Sequence, residues 1–338
     1  MKTKVLGRTG LLVSELCLGT MTFGGRGMWE AIGNQGQETV NELVGRALDG
    51  GINFIDTADV YSEGESERLL GQALKGKRQD VVLATKVHGR MGNGPNQVGL
   101  SRGHIMQAVE DSLRRLDTDY IDLYQIHGAD ALTPLDETLR ALNDLVTQGK
   151  VRYIGCSNLM AWQIMKANGI SSHYGWNRFE SVQSYYTLAG RDLEREIIPL
   201  VQDQQMSVLV WSPLAGGLLS GKFSRNADGP DSARRSNFDF PPVNRERAFD
   251  VVDVLREVAA EHDATVARIA LAWLLHQPAV TSVIIGAKRL DQLEDNLLAP
   301  DIQLSDDQLE RLNAASQLPP EYPGWMVAVQ AQNRISAT

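Results

Sequence analysis

The sequence predicts a single α/β domain over residues 1–338: a (β/α)8 TIM barrel with an N-terminal β-hairpin plug and extra C-terminal helices. Three observations point there. Short β-branched or apolar runs alternate with amphipathic stretches along the whole chain. The runs with strand character number eight, at residues 16–20, 53–57, 81–87, 120–127, 151–157, 181–186, 207–212 and 282–286. Several of them, such as Val81-Val82-Leu83-Ala84-Thr85, are continuously apolar, as a parallel sheet covered by helices requires. Eight strand–helix units favour a closed barrel over an open doubly wound sheet.

Each element has a local justification. Residues 2–13 carry Gly7 and Gly10 between two short apolar runs, the pattern of a hairpin that could plug one end of a barrel. Helical periodicity follows at 38–49, 65–74, 102–116, 135–148, 160–168 and 193–204, and again at 266–276 and 290–297 around the last strand. Ser101 can cap the helix after it, and Pro134 suits the first turn of the next. Gly149 ends that helix just before the strand at 151. Residues 224–242 are long, polar and proline-containing, and read as a loop over the barrel face opposite the hairpin. The helix at 245–262 and the tail beyond residue 305 are additions to the eight units.

Composition narrows the function. Of the 338 residues 43% are apolar and 22% charged, enough for a large core without disulfides. With 33 basic against 42 acidic residues the net charge is −9, which argues against a nucleic-acid footprint. Cys17 and Cys156 both lie in apolar runs, so no disulfide scaffold is expected. Lys2, Lys4, Arg8 and Glu15 interrupt the first residues, and no run is long enough to span a membrane. The expectation is a soluble cytoplasmic enzyme that acts on a small molecule.

In such barrels catalytic groups sit at the carboxyl ends of strands. Asp56 ends Asn53-Phe54-Ile55-Asp56, Lys86 ends Ala84-Thr85-Lys86, and His127 ends Leu123-Tyr124-Gln125-Ile126-His127. Tyr61 follows Asp56 in the next loop. Any one of them has an ordinary structural explanation, as a loop cap, a solvated lysine, a packed ring or a satisfied polar group. Four converging on one face are harder to explain that way. A phenol, with pKa about 10, is a poor acid at neutral pH, but a neighbouring ammonium favours its phenolate. Asp56 would hold that lysine charged, and His127 could donate to a carbonyl oxygen and stabilise developing charge. The set suits carbonyl reduction and needs a hydride donor from outside the protein.

Other motifs lead nowhere. Gly216-Gly217-Leu218-Leu219-Ser220-Gly221-Lys222-Phe223 nearly spells a phosphate-binding loop, but Phe223 stands where the magnesium-binding hydroxyl must be. Gly24-Gly25-Arg26-Gly27 lacks the third glycine of a dinucleotide fingerprint, Glu30 taking its place. Glu63, Glu65 and Glu67 read as a solvated helix start. The six histidines show no metal-ligand spacing, and no metal is expected.

The sequence resembles the aldo-keto reductases over nearly its whole length. The stretches that carry the resemblance are Leu18-Gly19-Thr20, Asp56-Thr57-Ala58-Asp59-Val60-Tyr61, Leu83-Ala84-Thr85-Lys86 and Asp122-Leu123-Tyr124-Gln125-Ile126-His127. They continue with Gly155-Cys156-Ser157-Asn158, Trp211-Ser212-Pro213-Leu214 and Ile285-Gly286-Ala287-Lys288-Arg289. These forms look nearest to the bacterial and potassium-channel β-subunit-like branch. The resemblance implies NADPH/NADP+ lying extended across the carboxyl face. It implies Tyr61 as general acid, Lys86 and Asp56 as its tuning partners, and His127 as the group that orients the carbonyl. Ser157, Asn158 and Gln183 match the positions that hold the nicotinamide carboxamide, and Trp211 the aromatic that stacks on its ring. Gly19, Thr20 and Met21 match first-strand contacts, and Ser212, Pro213, Leu214, Gly216 and Lys222 the pyrophosphate side. Lys288, Arg289 and Gln292 fall where the 2′-phosphate is held, a basic pair that favours NADPH over NADH, and Gly286 before them is placed in the cofactor set. Asp295 and Asn296 fall near the adenine, Asp295 replacing a commoner glutamate. Arg234 or Arg235 would fold over the cofactor, and Arg235 is placed in the cofactor set.

Trp29, His88 and Trp325, with Tyr322, are the candidates for shaping a substrate mouth around His127. They would make an aromatic rim for a medium-sized carbonyl compound. Two other functions remain open: a redox-sensing NADP(H)-binding subunit with little turnover, and a lyase using Lys86 as Schiff-base nucleophile. The sequence leaves the natural substrate, reaction direction and oligomeric state open.

Overall fold

The computed structural model describes residues 1–226, 229–230 and 233–335. Its centre is a closed barrel of eight parallel strands. In chain order these are β3 (Leu16–Gly19), β4 (Phe54–Asp56), β5 (Val82–Val87), β6 (Ile121–Ile126), β7 (Val151–Ser157), β8 (Phe179–Tyr185), β9 (Ser207–Trp211) and β10 (Val280–Ile285). They come after the two hairpin strands, β1 (Thr3–Val5) and β2 (Leu12–Ser14). Each barrel strand pairs with the next, and β10 closes onto β3.

The period of two along each strand sorts side chains into two populations. Leu16, Leu18, Ile55, Leu83, Tyr124 and Val182 face outward into a core shared with the helices. Cys17, Phe54, Val82, Ala84, Leu123, Leu209 and Ile284 face inward and fill the lower barrel. Leu6 and Val13 of the hairpin pack fully buried into the same cluster, so the hairpin is a plug for the amino end. Polar bonds pin it there: Gly7 N donates to Ser207 Oγ at 2.8 Å, and Lys4 Nζ to the Val280 carbonyl at 2.7 Å.

The outer ring is made by α1 (Gln37–Asp49), α2 (Glu65–Ala73), α3 (Arg102–Leu116), α4 (Leu135–Thr147), α5 (Ala161–Tyr174) and α6 (Leu193–Gln204). After a four-residue helix, α7 (Arg234–Asn237), come α8 (Arg245–Glu261), α9 (Val266–Leu275) and α10 (Leu290–Leu297). The tail adds α11 (Asp306–Ser316) and α12 (Gly324–Ile335). Ser101 caps α3, its hydroxyl accepting from His104 N at 3.3 Å. Gly149 takes φ +74° between α4 and β7.

Three expectations are corrected. Pro134 is the cap of α4, with extended ψ of 136°, rather than a residue of its first turn. α5 runs on through Gly169 to Tyr174, because buried Ala167, Asn168 and Ser171 outweigh the ~1 kcal/mol a mid-helix glycine costs. The loop at 224–242 contains α7.

Candidate active site

At the carboxyl end of the barrel the inward positions change from apolar to polar. Asp56 follows Phe54 by two, Lys86 follows Ala84, and Gln125 follows Leu123, so strand alternation turns all three into the barrel. Lys86 is fully buried. Its ammonium donates to Asp56 Oδ1 at 2.5 Å, to the Thr57 carbonyl at 2.8 Å and to the Tyr61 hydroxyl at 3.3 Å. Burial by itself would push the ammonium down, yet the Asp56 carboxylate beside it holds its pKa above the ordinary lysine value. The second Asp56 oxygen accepts from Gln125 Nε2 at 3.0 Å and Gln183 Nε2 at 2.9 Å.

Gln125 is the functional residue the sequence reading missed. Its signal was present in the strand 121–126, where alternation aligns it with Leu123 and His127. A polar amide at an inward position needs a partner, and that partner is Asp56. Gln183, assigned to the carboxamide, shares this task.

Backbone bonds extend the strand ladders into the loops and fix what they carry. Thr57 N bonds to the Ala84 carbonyl, Asp59 N to Lys86, and His127 N to Val87. The turn 61–64 has Ser62 and Glu63 at φ +49° and +55°, and Ser62 Oγ anchors it to the Phe23 carbonyl at 3.0 Å. This sharp turn leaves the Tyr61 ring edge-on to His127, with centroids 5.8 Å apart, and Trp29 on it at 5.3 Å. Burial, reinforced by the Lys86 charge, lowers the His127 pKa to about 3, so its imidazole is neutral across the physiological range. A neutral ring has one N–H to donate and no charge to lose.

Behind the barrel wall lies a second polar group. Glu67 is fully buried, contrary to the solvated helix start expected of it. It accepts from Thr85 Oγ1 and from Arg115 Nε, both at 2.6 Å, because α2 turns its inner face onto β5 and α3. Glu65 instead pairs at the surface with Arg26 and Arg68. Asp59 is also fully buried, and the one donor facing its carboxyl oxygens is the Val60 backbone N–H, in poor hydrogen-bond geometry. It lines a cavity of about 40 Å³ with Met91, Gln97, His104 and Arg115, large enough for ordered water. Burial, with Glu67 nearby, holds its pKa well above the carboxylate range.

That shift has a stability consequence. A carboxyl whose folded pKa is raised binds its proton more tightly folded than unfolded. Its penalty to the folded state therefore grows as pH rises from about 4 toward the folded value and stays in full above it. Asp59→Asn is accordingly expected to stabilise the fold by about 1–3 kcal/mol at pH 8. The gain shrinks toward pH 4, and melting curves of both proteins across that range check it.

The residues assigned to a cofactor spread across the same face. Thr20 is buried, with Met21 half-buried beside it, and a side chain at Gly19 would meet Ile284 Cγ2 at 2.6 Å. Ser157 Oγ donates to the Gln183 carbonyl at 2.9 Å. Asn158 joins two parts of the face: its amide nitrogen donates to the His127 carbonyl at 3.0 Å, and its oxygen accepts from Trp211 Nε1 at 3.1 Å. Ser212 and Gly216 take φ +51° and +67°, and Ser212 Oγ accepts from Gly216 N at 3.0 Å. Pro213 is buried and held through its carbonyl by Thr187, Leu214 is half-buried, and Lys222 is exposed. A Cβ at Gly216 would sit 2.4 Å from the Phe240 carbonyl, so only glycine lets these loops meet.

Arg235 is buried and ties the two loops together, donating to the carbonyls of Ala215 and Pro241, both at 2.7 Å. The Arg234 side chain lies outside the described residues. Phe240 lies parallel to Trp211 at 5.8 Å. At the start of α10, Lys288 N donates to Gln292 Oε1 at 2.9 Å, Arg289 is exposed and paired with Asp291, and Gly286 has open space around it. Asp295 accepts from Thr265 Oγ1 at 2.6 Å and Arg268 Nη2 at 2.5 Å, and Asn296 is buried beside it.

Of the expected substrate residues, Trp29 sits on Tyr61, and His88 holds the Ala129 carbonyl at 3.1 Å. Trp325 makes its ring contact on the tail, with Tyr322 at 6.1 Å.

Comparison with known proteins gives a family match and whole-length relatives. A family model described as the Aldo/keto reductase family matches residues 15–317. The uncharacterized oxidoreductase YrpG of Bacillus subtilis is 39% identical over 324 residues, 93% of this chain and 95% of that protein. A putative aryl-alcohol dehydrogenase of Schizosaccharomyces pombe is 35% identical, covering 91% and 93%. A probable voltage-gated potassium channel subunit beta of Arabidopsis thaliana is also 35% identical, covering 96% and 99%.

Proposed function

The chain belongs to the aldo/keto reductase family, and on that footing we propose that it is an NADPH-dependent oxidoreductase that reduces an aldehyde or ketone to the alcohol. The observation that carries this reading is the buried string Asp56–Lys86–Tyr61 ending beside a neutral His127. When bound, the nicotinamide supplies the hydride.

The rest falls to this chain's own residues. His127 donates its one N–H to the substrate oxygen and orients it. Tyr61 gives its hydroxyl proton to that oxygen as negative charge develops. Lys86 stabilises the phenolate left behind. Asp56, itself held by Gln125 and Gln183, keeps Lys86 charged and in place. Trp29 shelters the phenol and gives the site an aromatic wall. That wall, with the name of the fission-yeast relative, supports aromatic carbonyl compounds as the first class to assay.

The residues on the carboxyl face fit the cofactor. Ser157, Asn158 and Gln183 supply amide and hydroxyl groups for its carboxamide, and Trp211 a flat ring. Gly19, Thr20, Met21 and the Ser212–Gly216 turn give closely approachable backbone. Lys288 and Arg289, with Gln292, offer charge-assisted donors for a 2′-phosphate at the start of α10. Replacing both Lys288 and Arg289 by Ala is expected to weaken NADPH binding at least about tenfold, ~1.4 kcal/mol, while NADH binding changes little. Fluorescence titration of the two cofactors checks it.

The Schiff-base reading requires a lysine that is neutral and free to attack. Lys86 is charged and makes three bonds, which argues against that chemistry. The channel-subunit relative favours a second reading, a redox sensor with little turnover. Following NADPH oxidation across aldehydes, diketones and cyclic ketones separates the two. Turnover supports the reductase, and tight binding without turnover on any of them supports the sensor.

A further inference from the structure

Among the described residues, two helices turn apolar side chains to solvent. The first is α12, with the sequence GWMVAVQAQNRI. Trp325, Val327 and Val329 are 46%, 58% and 48% exposed, and Tyr322 just before the helix is 75% exposed. Between Gly324 and Gln332 only Met326 is half-buried, and no residue is charged. A helix of 12 residues is marginal in water unless an apolar face is packed against something. The root of the tail is fixed, because Glu321 pairs with Arg195 of α6 at 2.8 Å. The helix itself projects from that point.

The second surface is the outer face of α5. Trp162 and Met165 are 59% and 45% exposed, one turn apart, and Met160 in front of them is 64% exposed. Trp162 Nε1 lies 3.4 Å from Met160 Sδ, so the two form one patch. Gly169 continues the stripe a turn further, with nothing within 4 Å of where its side chain would be. The result is a shallow apolar track with room for a helix to approach closely.

α5 packs directly against α6, on which the tail is rooted. Donor helix and receiving track therefore share one side of the molecule. That placement allows two copies related by a twofold axis each to lay its tail on the other, an isologous contact that closes on itself.

We propose that α12 of one copy packs on the Met160–Trp162–Met165 face of a second copy, and the reverse, forming a twofold dimer. The side chains involved expose roughly 800 Å² per copy, the area a stable interface of standard size buries on each partner. From Gly324 to Gln332 the helix has no charge to desolvate, and the track has only Lys166 at its edge, which can keep its ammonium in water. The proposal does not depend on the catalytic reading.

Light scattering on a sizing column, with full-length chain at tens of micromolar, tests it. The native chain is expected at twice the monomer mass. Trp162→Glu and Val329→Glu, one on each side of the contact, should each return it to monomer mass. The barrel's circular dichroism should stay unchanged, since both positions are exposed. A monomeric native chain overturns the proposal, and would fit a tail that folds onto its own α5. A dimer that survives both substitutions overturns it too, and so does a native species larger than a dimer.

Discussion

Tyr61→Phe is expected to lower NADPH-dependent carbonyl reduction by about 10²–10⁴-fold, the usual worth of a positioned general acid. Cofactor binding should survive, because the phenyl ring keeps its contacts with Trp29 and His127. Stability should change little. Lys86 loses its longest bond, at 3.3 Å, and keeps those to Asp56 and Thr57. The measurement is steady-state turnover beside a cofactor titration and a melting curve of the same preparation. Activity within threefold of native would mean that another group delivers the proton. Loss of cofactor binding would mean that Tyr61 is needed for the site's shape, and the acid role would then be unproven.

Lys86→Met should cost both activity and stability, and by more than an ordinary core substitution. It leaves the Asp56 carboxylate buried with only the amides of Gln125 and Gln183. Removing one partner of a buried ion pair costs about 3–5 kcal/mol, because the other charge stays desolvated. For a chain of this size that is a fall in Tm of about 4–7 °C. The double variant Lys86→Met/Asp56→Asn removes the stranded charge and should recover part of the loss, while turnover stays low. A single variant as stable as the native protein would show that water reaches Asp56. A double variant no better than the single one would place the cost in packing around the aliphatic stem. Either result would also weaken the view of Asp56 as the group that keeps Lys86 charged.

Much of the site was legible because strand ends are readable. Asp56, Lys86 and His127 each close an apolar run, and the barrel brings such ends to one face. The structure adds the order of contacts: Lys86 in the middle, Asp56 below it, Tyr61 above. The role of Gln125 is not legible in the sequence, because a lone amide inside an apolar run has several ordinary explanations, and only the register of β6 beside β5 shows what it holds. The acidic residues after Tyr61 misled for a related reason. Spacing alone does not tell Glu65, paired at the surface, from Glu67, buried against Arg115 from a helix 48 positions away.

Alternation of apolar runs and amphipathic helices is local information, and by itself it determined the barrel, its eight strands, the plug and the face that carries the chemistry. What depended on residues distant in sequence was decided by the tertiary structure alone. The charge state of His127 follows from burial and from the Lys86 ammonium across the barrel. The burial of the Asp59 carboxyl follows from how α3 and the loop at 91–97 close over the wall. The open faces of α5 and α12 show only once the fold has used the apolar surface it needs. Patterns along a chain encode which face of an element is buried, whereas electrostatics and surface complementarity depend on distances that exist only after folding.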